Sequence, residues 1–258
     1  MSDDLVLTER EGRLTIITIN RPEAYNALNP AAQLALQDAF DRFAEDDDQW
    51  VAILTGAGPK AFCGGMDLKA QAENPDLFNL ERGFGGFTAR FDLTKPVIGA
   101  VNGIAMGGGF ELALACDIVV ASDKAVFALP EPRVGLAALG GGIQRLPYEL
   151  GLKQAMGLLL TGRRLKAEEA LALGLVNEVA SGDVLAAAKR WAGEILACSP
   201  MAVRATKEAT LRGLASTLAD GMAQEWDYPA MKAMLASRDA VEGPQAFAAK
   251  RTPVWTGR

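Results

Sequence analysis

The chain has 258 residues, half of them hydrophobic, enough for one sizeable core with an appended region. A net charge of −6, a pI of about 4.9 and no Lys/Arg run longer than two argue against a general nucleic-acid surface, and Cys63, Cys116 and Cys198, far apart without C-x-x-C spacing, support neither a disulfide framework nor a zinc site. There is no histidine, which removes Ser-His-Asp and Cys-His nucleophiles, His-ligated metals and a histidine base, and leaves acid–base work to carboxylates, lysine, tyrosine or cysteine.

The acidic opening MSDDLVLTER has no apolar signal core and no apolar run approaches about 18 residues, so a cytoplasmic protein is expected. Leu5 to Glu9 and Leu14 to Ile19 are rich in β-branched residues and flank Glu11-Gly12, which predicts a hairpin. Arg21-Pro22 ends the second strand. Asn29-Pro30 supplies an N-cap and a first-turn proline for a helix whose core face is Leu36, Phe40 and Phe43. The acid run at 45–48 is unfavourable at a helix C-terminus and reads as a solvated face. Trp50 to Thr55 is a short buried strand, giving a strand–helix–strand crossover with parallel strands.

Residues 55–69, TGAGPKAFCGGMDLK, formally fit G-x-G-x-x-A, but Pro59 and Gly64-Gly65 leave no room for the helix that a dinucleotide site requires. Gly64-Gly65 instead mark close backbone approach. Residues 70–92, with NPD and GFGGF, show no sustained period and read as a mobile loop or lid.

Residues 99–117, GAVNGIAMGGGFELALACD, join an apolar strand to Gly107-Gly108-Gly109 and then to an apolar helix whose only ionisable residue is Glu111, in its first turn. Three glycines at a helix start each weaken it by about 1 kcal/mol relative to alanine if they fall inside it, so something must approach that backbone closely. A helix N-terminus with free N–H groups favours an ionised Glu111 and an oxyanion beside it; taken alone, the stretch also fits a tight helix–sheet packing point with a first-turn acid. The two glycine-flanked sites, each after an apolar strand (Val51 to Leu54 and Val97 to Val101), would meet at one sheet edge. Asp117 to Ala121 is another strand, and Ala125 to Leu129 leads into Pro130-Glu131-Pro132. The prolines hold Glu131 in an extended or turn conformation rather than a helix, beside apolar Leu129, Val134 and Leu136, where desolvation raises a carboxyl pKa. An isolated P-E-P also fits an exposed surface turn.

Taken together, NRPEAYNAL, AFCGGMDLK, KPVIGAVNGIAMGGGFELALACDIVVAS, FALPE, GGGIQRLP, TGRRLKAEEALALGLVNEV and EGPQAFAAKRTPVWTGR resemble the crotonase, or enoyl-CoA hydratase/isomerase, superfamily over nearly the whole chain. The resemblance implies an α/β crotonase-like spiral of ββα units, residues 1–198, with a C-terminal helical trimerisation region, residues 199–258. It implies an enoyl-CoA hydratase acting on an acyl-CoA thioester, with the N–H groups of Met66 and Gly108 as oxyanion hole and Glu111 and Glu131 as catalytic carboxylates. Another crotonase reaction, by an isomerase, a carnitinyl-CoA-type dehydratase, a hydrolase or a decarboxylase, is the alternative; a non-catalytic scaffold, including RNA binding, is disfavoured by the low pI. Substrate positions implied by the motifs are Glu23, Ala24, Ala61, Cys63, Met66, Asp67, Leu68, Lys69, Gly107, Gly108 and Leu139, with Arg21 at the mouth and Phe247 and Lys250 from a neighbouring subunit of a homotrimer or dimer of trimers. No metal and no separate cofactor are implied, coenzyme A being part of the substrate.

Such an arrangement makes chemical sense. Two preset N–H donors stabilise the charge on a thioester oxygen, while hydration needs a base for water at C3 and an acid for C2. Glu111, favoured as an anion, is expected to activate water and Glu131, raised by its apolar setting, to give the proton. Where many hydratases have an I-P-G-like segment, this chain has Leu136-Ala137-Ala138-Leu139-Gly140, which keeps a Leu139 N–H available but reshapes the acyl pocket. Met66, where a small residue is usual, adds apolar bulk. Beyond Gly151 the pattern predicts helices over LKQAMGLLLTG, Lys166 to Leu173, Val184 to Ala197, from Ser199-Pro200, and at 215–237 and 238–250, with Met222, Met231 and Met234 in a core or an interface.

Overall fold

The computed structural model describes residues 4–73 and 81–258. The predicted hairpin is present as β1 (Val6–Glu11) and β2 (Leu14–Ile19), paired antiparallel. Helix α1 (Pro30–Glu45) begins at Asn29, whose side-chain oxygen accepts the Ala32 N–H at 2.8 Å, and Leu36, Phe40 and Phe43 are buried. Its acidic end is not merely solvated. The buried Lys95 ammonium donates to the Phe43 and Asp46 carbonyls at 2.8 and 2.7 Å, Arg10 pairs with Asp46 and Arg13 with Asp48, so cations offset the unfavourable charge at the helix C-terminus.

The chain then alternates between two sheets. β3 (Val51–Gly56) is followed by β4 (Ala61–Cys63) and α2 (Leu68–Glu73), β5 (Val97–Val101) by β6 (Ile104–Met106) and α3 (Gly108–Ala115), and β7 (Ile118–Ser122) by β8 (Val126–Ala128). Of these, β3, β5 and β7 are parallel neighbours beside β2 in the main sheet, whereas β4, β6 and β8 form a second sheet. This is the expected α/β spiral. It also corrects one expectation: the glycine sites do not follow β3 and β5 directly, because each comes after a three-residue strand of the second sheet.

After β8 come α4 (Gly142–Glu149), which the pattern around Pro147 did not predict, α5 (Leu152–Thr161), β9 (Leu165–Lys166), α6 (Ala167–Ala172), β10 (Glu178–Ala180) and α7 (Val184–Leu196). The six-stranded main sheet runs β1-β2-β3-β5-β7-β10, and the four-stranded second sheet β4-β6-β8-β9. Fully buried parallel strands such as β3 and β5 need cover on both faces. Ala187, Ala188 and Ala192 of α7 pack on Ile53, Ile98 and Val120, while α1 and α3 contribute to the core on the opposite face.

The last helices are α8 (Pro200–Gly213), α9 (Leu218–Gln224), α10 (Pro229–Leu235) and α11 (Arg238–Ala248). The stretch 215–237 is thus two helices joined by a 3-10 turn at Glu225–Asp227, with Pro229 starting the second one. Met222 is exposed and belongs to no core of this chain. At the start of α11 Asp239 accepts from Ser199 Oγ (3.0 Å), Thr256 N (2.8 Å), Thr256 Oγ1 (3.0 Å) and Gly257 N (3.2 Å), which clamps the final residues to α8 and α11.

The expected lid at 70–92 divides three ways. Residues 70–73 are the end of α2, residues 74–80 lie outside the described residues, and the segment from Phe84 to Thr88 is buried, with Phe87 stacked on Phe40 at 4.2 Å between ring centroids. That part is a plug for the core over α1. Among the described residues no helix is long and apolar enough to cross a membrane, and no group of three potential metal ligands occurs.

Candidate active site

The turn from β6 into α3 and the turn after β4 lie against each other. Leu28 N–H donates to the Gly65 carbonyl and Asp67 N–H to the Leu28 carbonyl, which fixes Met66 between them. Gly65 has φ +93°, and a Cβ there would come within 2.6 Å of the Met106 oxygen and 3.3 Å of the Gly108 nitrogen. A Cβ on Gly108 would strike the Phe84 ring at 2.5 Å, and one on Gly109 the Cys63 oxygen at 2.0 Å. The glycines are there because the two turns touch. Among the described residues neither the Met66 N–H nor the Gly108 N–H has an acceptor, the latter because the first N–H groups of a helix have no partner inside it. Both residues line one cavity of about 330 Å³, within the usual range for a small-molecule site.

Glu111 and Glu131 line the same cavity. Glu111, in the first turn of α3, is only 3% exposed, and its Oε1 accepts the Gly142 N–H from the start of α4 at 2.9 Å. Burial pushes its pKa up to about 7; the Gly142 amide opposes this, the nearby Glu131 charge adds to it, and the Gly140 amide opposes it. The expectation that the helix N-terminus keeps Glu111 anionic is therefore not met, since desolvation outweighs the amides around it. Glu131 opens a 3-10 turn, Glu131–Val134, rather than the non-helical conformation expected, because Pro132 fits the first turn of a helix. Burial raises its pKa as well, against a hydrogen bond from its own backbone, and its Oε2 is buried with no partner among the described residues. Its Oε1 lies 2.9 Å from where a Cβ on Gly107 would stand, which brings the second carboxyl to the N-terminus of the first one's helix.

Of the other sequence-derived positions, Leu68, Gly107 and Leu139 also line the cavity. The Leu139 amide does not remain free, as expected from the sequence: it donates to the Ala137 carbonyl at 2.9 Å. Ala61 and Cys63 are fully buried in β4 and do not line the cavity. The Ala61 carbonyl accepts from Asn26 Nδ2 at 2.7 Å, and burial pushes the Cys63 thiol up to about 12. Asp67 is paired with Arg21 at 3.2 Å. Glu23 and Ala24 form a 3-10 turn, Lys69 is exposed on α2, and Phe247 and Lys250 are exposed at the end of α11; none lines the cavity. Sequence reasoning missed Phe84, Gln71 and the role of Gly142. A third glycine run, Gly140-Gly141-Gly142, was the available signal: Cβ atoms at 140 and 142 would lie 2.4 and 3.1 Å from the Glu111 carboxyl oxygens.

Chemically, the cavity brings two N–H groups without acceptors among the described residues, of the kind that can stabilise an oxyanion, together with two carboxyls whose proton affinity burial raises. The enoyl-CoA hydratase/isomerase family model matches residues 9–258. A carnitinyl-CoA dehydratase of Salmonella typhi is 44% identical with full coverage of both chains. Among solved structures, an enoyl-CoA hydratase from Mycobacterium tuberculosis H37Rv has a TM-score of 0.93 and 45% identity, covering 99% of this chain and 100% of that one. A carnitinyl-CoA hydratase from Mycobacterium avium has a TM-score of 0.79 and 40% identity, with full coverage of both chains. The chain belongs to the enoyl-CoA hydratase/isomerase family of the crotonase superfamily.

Proposed function

We propose that the chain is an enoyl-CoA hydratase that adds water reversibly, in syn fashion, to trans-2-enoyl-CoA to give 3-hydroxyacyl-CoA. The observation that carries this reading is the convergence of Met66 N–H, Gly108 N–H, Glu111 and Glu131 on one cavity. The thioester oxygen accepts from the two N–H groups, which draws electrons from C3. One carboxylate takes a proton from water as its oxygen bonds to C3, and the other carboxyl delivers a proton to C2; the roles reverse in dehydration. In this reading Glu111 is the base and Glu131 the acid: burial raises the pKa of both, the Gly142 amide offsets part of that rise at Glu111, and the Glu131 Oε2 has no partner among the described residues. An uncharged acyl group suits the lining, which among the described residues is neutral apart from the two glutamates. We take the assembly to be a homotrimer or dimer of trimers formed through residues 199–258, with Lys69 at the coenzyme A phosphates and Phe247 and Lys250 supplied by a neighbouring copy.

Dehydration of carnitinyl-CoA is the second reading, favoured by the 44% identity to a curated carnitinyl-CoA dehydratase. Loss of the ultraviolet enoyl-thioester band separates the two, with crotonyl-CoA and the dehydrated form of carnitinyl-CoA as alternative substrates. We expect faster loss with crotonyl-CoA, and Glu111→Gln and Glu131→Gln each to lower kcat by about 10²- to 10⁴-fold while coenzyme A binding persists. Preference for the cationic substrate would move the assignment to the second reading, and no band loss with either would overturn both.

A further inference from the structure

The active-site cavity adjoins a larger groove of about 1300 Å³, lined in part by Phe87, Phe91, Ala113, Leu114, Leu211 and Leu214. The two share three lining residues, Gly83, Leu139 and Gly140. Two of those have no side chain, and neither position accepts one: a Cβ on Gly83 would sit 2.5 Å from Thr88 Oγ1, and one on Gly140 2.4 Å from Glu111 Oε2. Among the described residues the partition therefore has a single side chain, Leu139. It is 84% exposed and borders both clefts.

We propose that Leu139 sets the acyl-chain limit of the enzyme, its side chain stopping an apolar chain that would otherwise run from the two glutamates into the groove. The proposal rests on the acyl-CoA reading of the glutamate cavity. Leu139 is bonded through its amide to Ala137, so the backbone holds the partition in place while the isobutyl group decides what passes. The groove beyond offers an acyl tail apolar surface along Phe87, Ala113 and Leu114 on its near side. Burying methylenes there yields free energy that a short acyl chain cannot reach.

The test is calorimetric, on unreactive saturated ligands, so that it reads binding and not turnover. Butyryl-CoA, octanoyl-CoA and dodecanoyl-CoA are titrated into wild type, Leu139→Ala and Leu139→Trp. Trimming the side chain should improve the dodecanoyl-to-butyryl affinity ratio by about tenfold, and Leu139→Trp should lower the octanoyl-to-butyryl ratio by a similar factor, in line with the value of a methylene or two in an apolar pocket. If butyryl-CoA binds and neither ratio moves in either variant, the gate is overturned and the acyl-CoA reading stands. If butyryl-CoA does not bind the wild type, both fall together.

Discussion

Glu111 and Asp239 are buried to the same degree, each 3% exposed, yet their surroundings are opposite. Asp239 is surrounded by donors, two backbone amides and two hydroxyls, and ties the chain's last residues down. Glu111 has only the Gly142 and Gly140 amides beside it, and a second carboxyl as its neighbour. Burial alone does not decide what a carboxyl does. The supply of donors decides whether a buried carboxyl is tied into the fold or left open to other groups.

The largest effect expected from that difference is on folding. Asp239→Ala leaves its donors without an acceptor and should reduce unfolding free energy by roughly 2–4 kcal/mol in urea titration. Glu111→Gln, by contrast, relieves a desolvated acid and should leave stability near wild type or above it. Equal losses for the two variants would break the comparison.

A smaller effect sharpens it along the pH axis. Because Glu111 has a folded-state pKa raised to about 7, the fold binds its proton more tightly than the unfolded chain does. Its contribution is therefore full below about 4.3, the unfolded value, and is lost as pH rises through about 7. The urea midpoint should fall over that window, and the fall should be shallower in Glu111→Gln; parallel curves would show that Glu111 does not carry the shift. The smallest effect lies at the surface. Glu11 accepts from Lys189 at 2.7 Å with both side chains partly exposed, and Lys189→Met should change stability by less than about 1 kcal/mol. A larger loss would mean that donor supply matters even where water competes.

The hairpin, the N-cap of α1 and the glycine-rich start of α3 were legible because their signals are local. Asn29-Pro30 states where its helix begins, and no distant residue is needed to read it. Glu111 and Glu131 stood out as candidates through the family resemblance, and the fold brings both to one cavity. What remained hidden was set by partners remote in sequence. Phe87 looked like part of a loop because its stacking partner, Phe40, belongs to α1. Lys95 gave no hint of capping the acidic end of that helix. The proton affinity of Glu111 was misread for the same reason: the start of α3 is visible in the sequence, but the α4 backbone that covers the carboxyl is brought there by folding.

The cavity lining also holds two sets of positions that differ in their freedom to change. Glycines at 65, 107, 108 and 140 admit no side chain without displacing a neighbour, so those positions have almost no mutational latitude. On the same lining the side chains of Val134, Leu136 and Leu139 are exposed, and replacing them disturbs little of the core. A library restricted to those three positions would reshape the cavity while the glycine contacts between its turns stay in place, and an evolving lineage has the same route to a differently shaped cavity without first losing the fold.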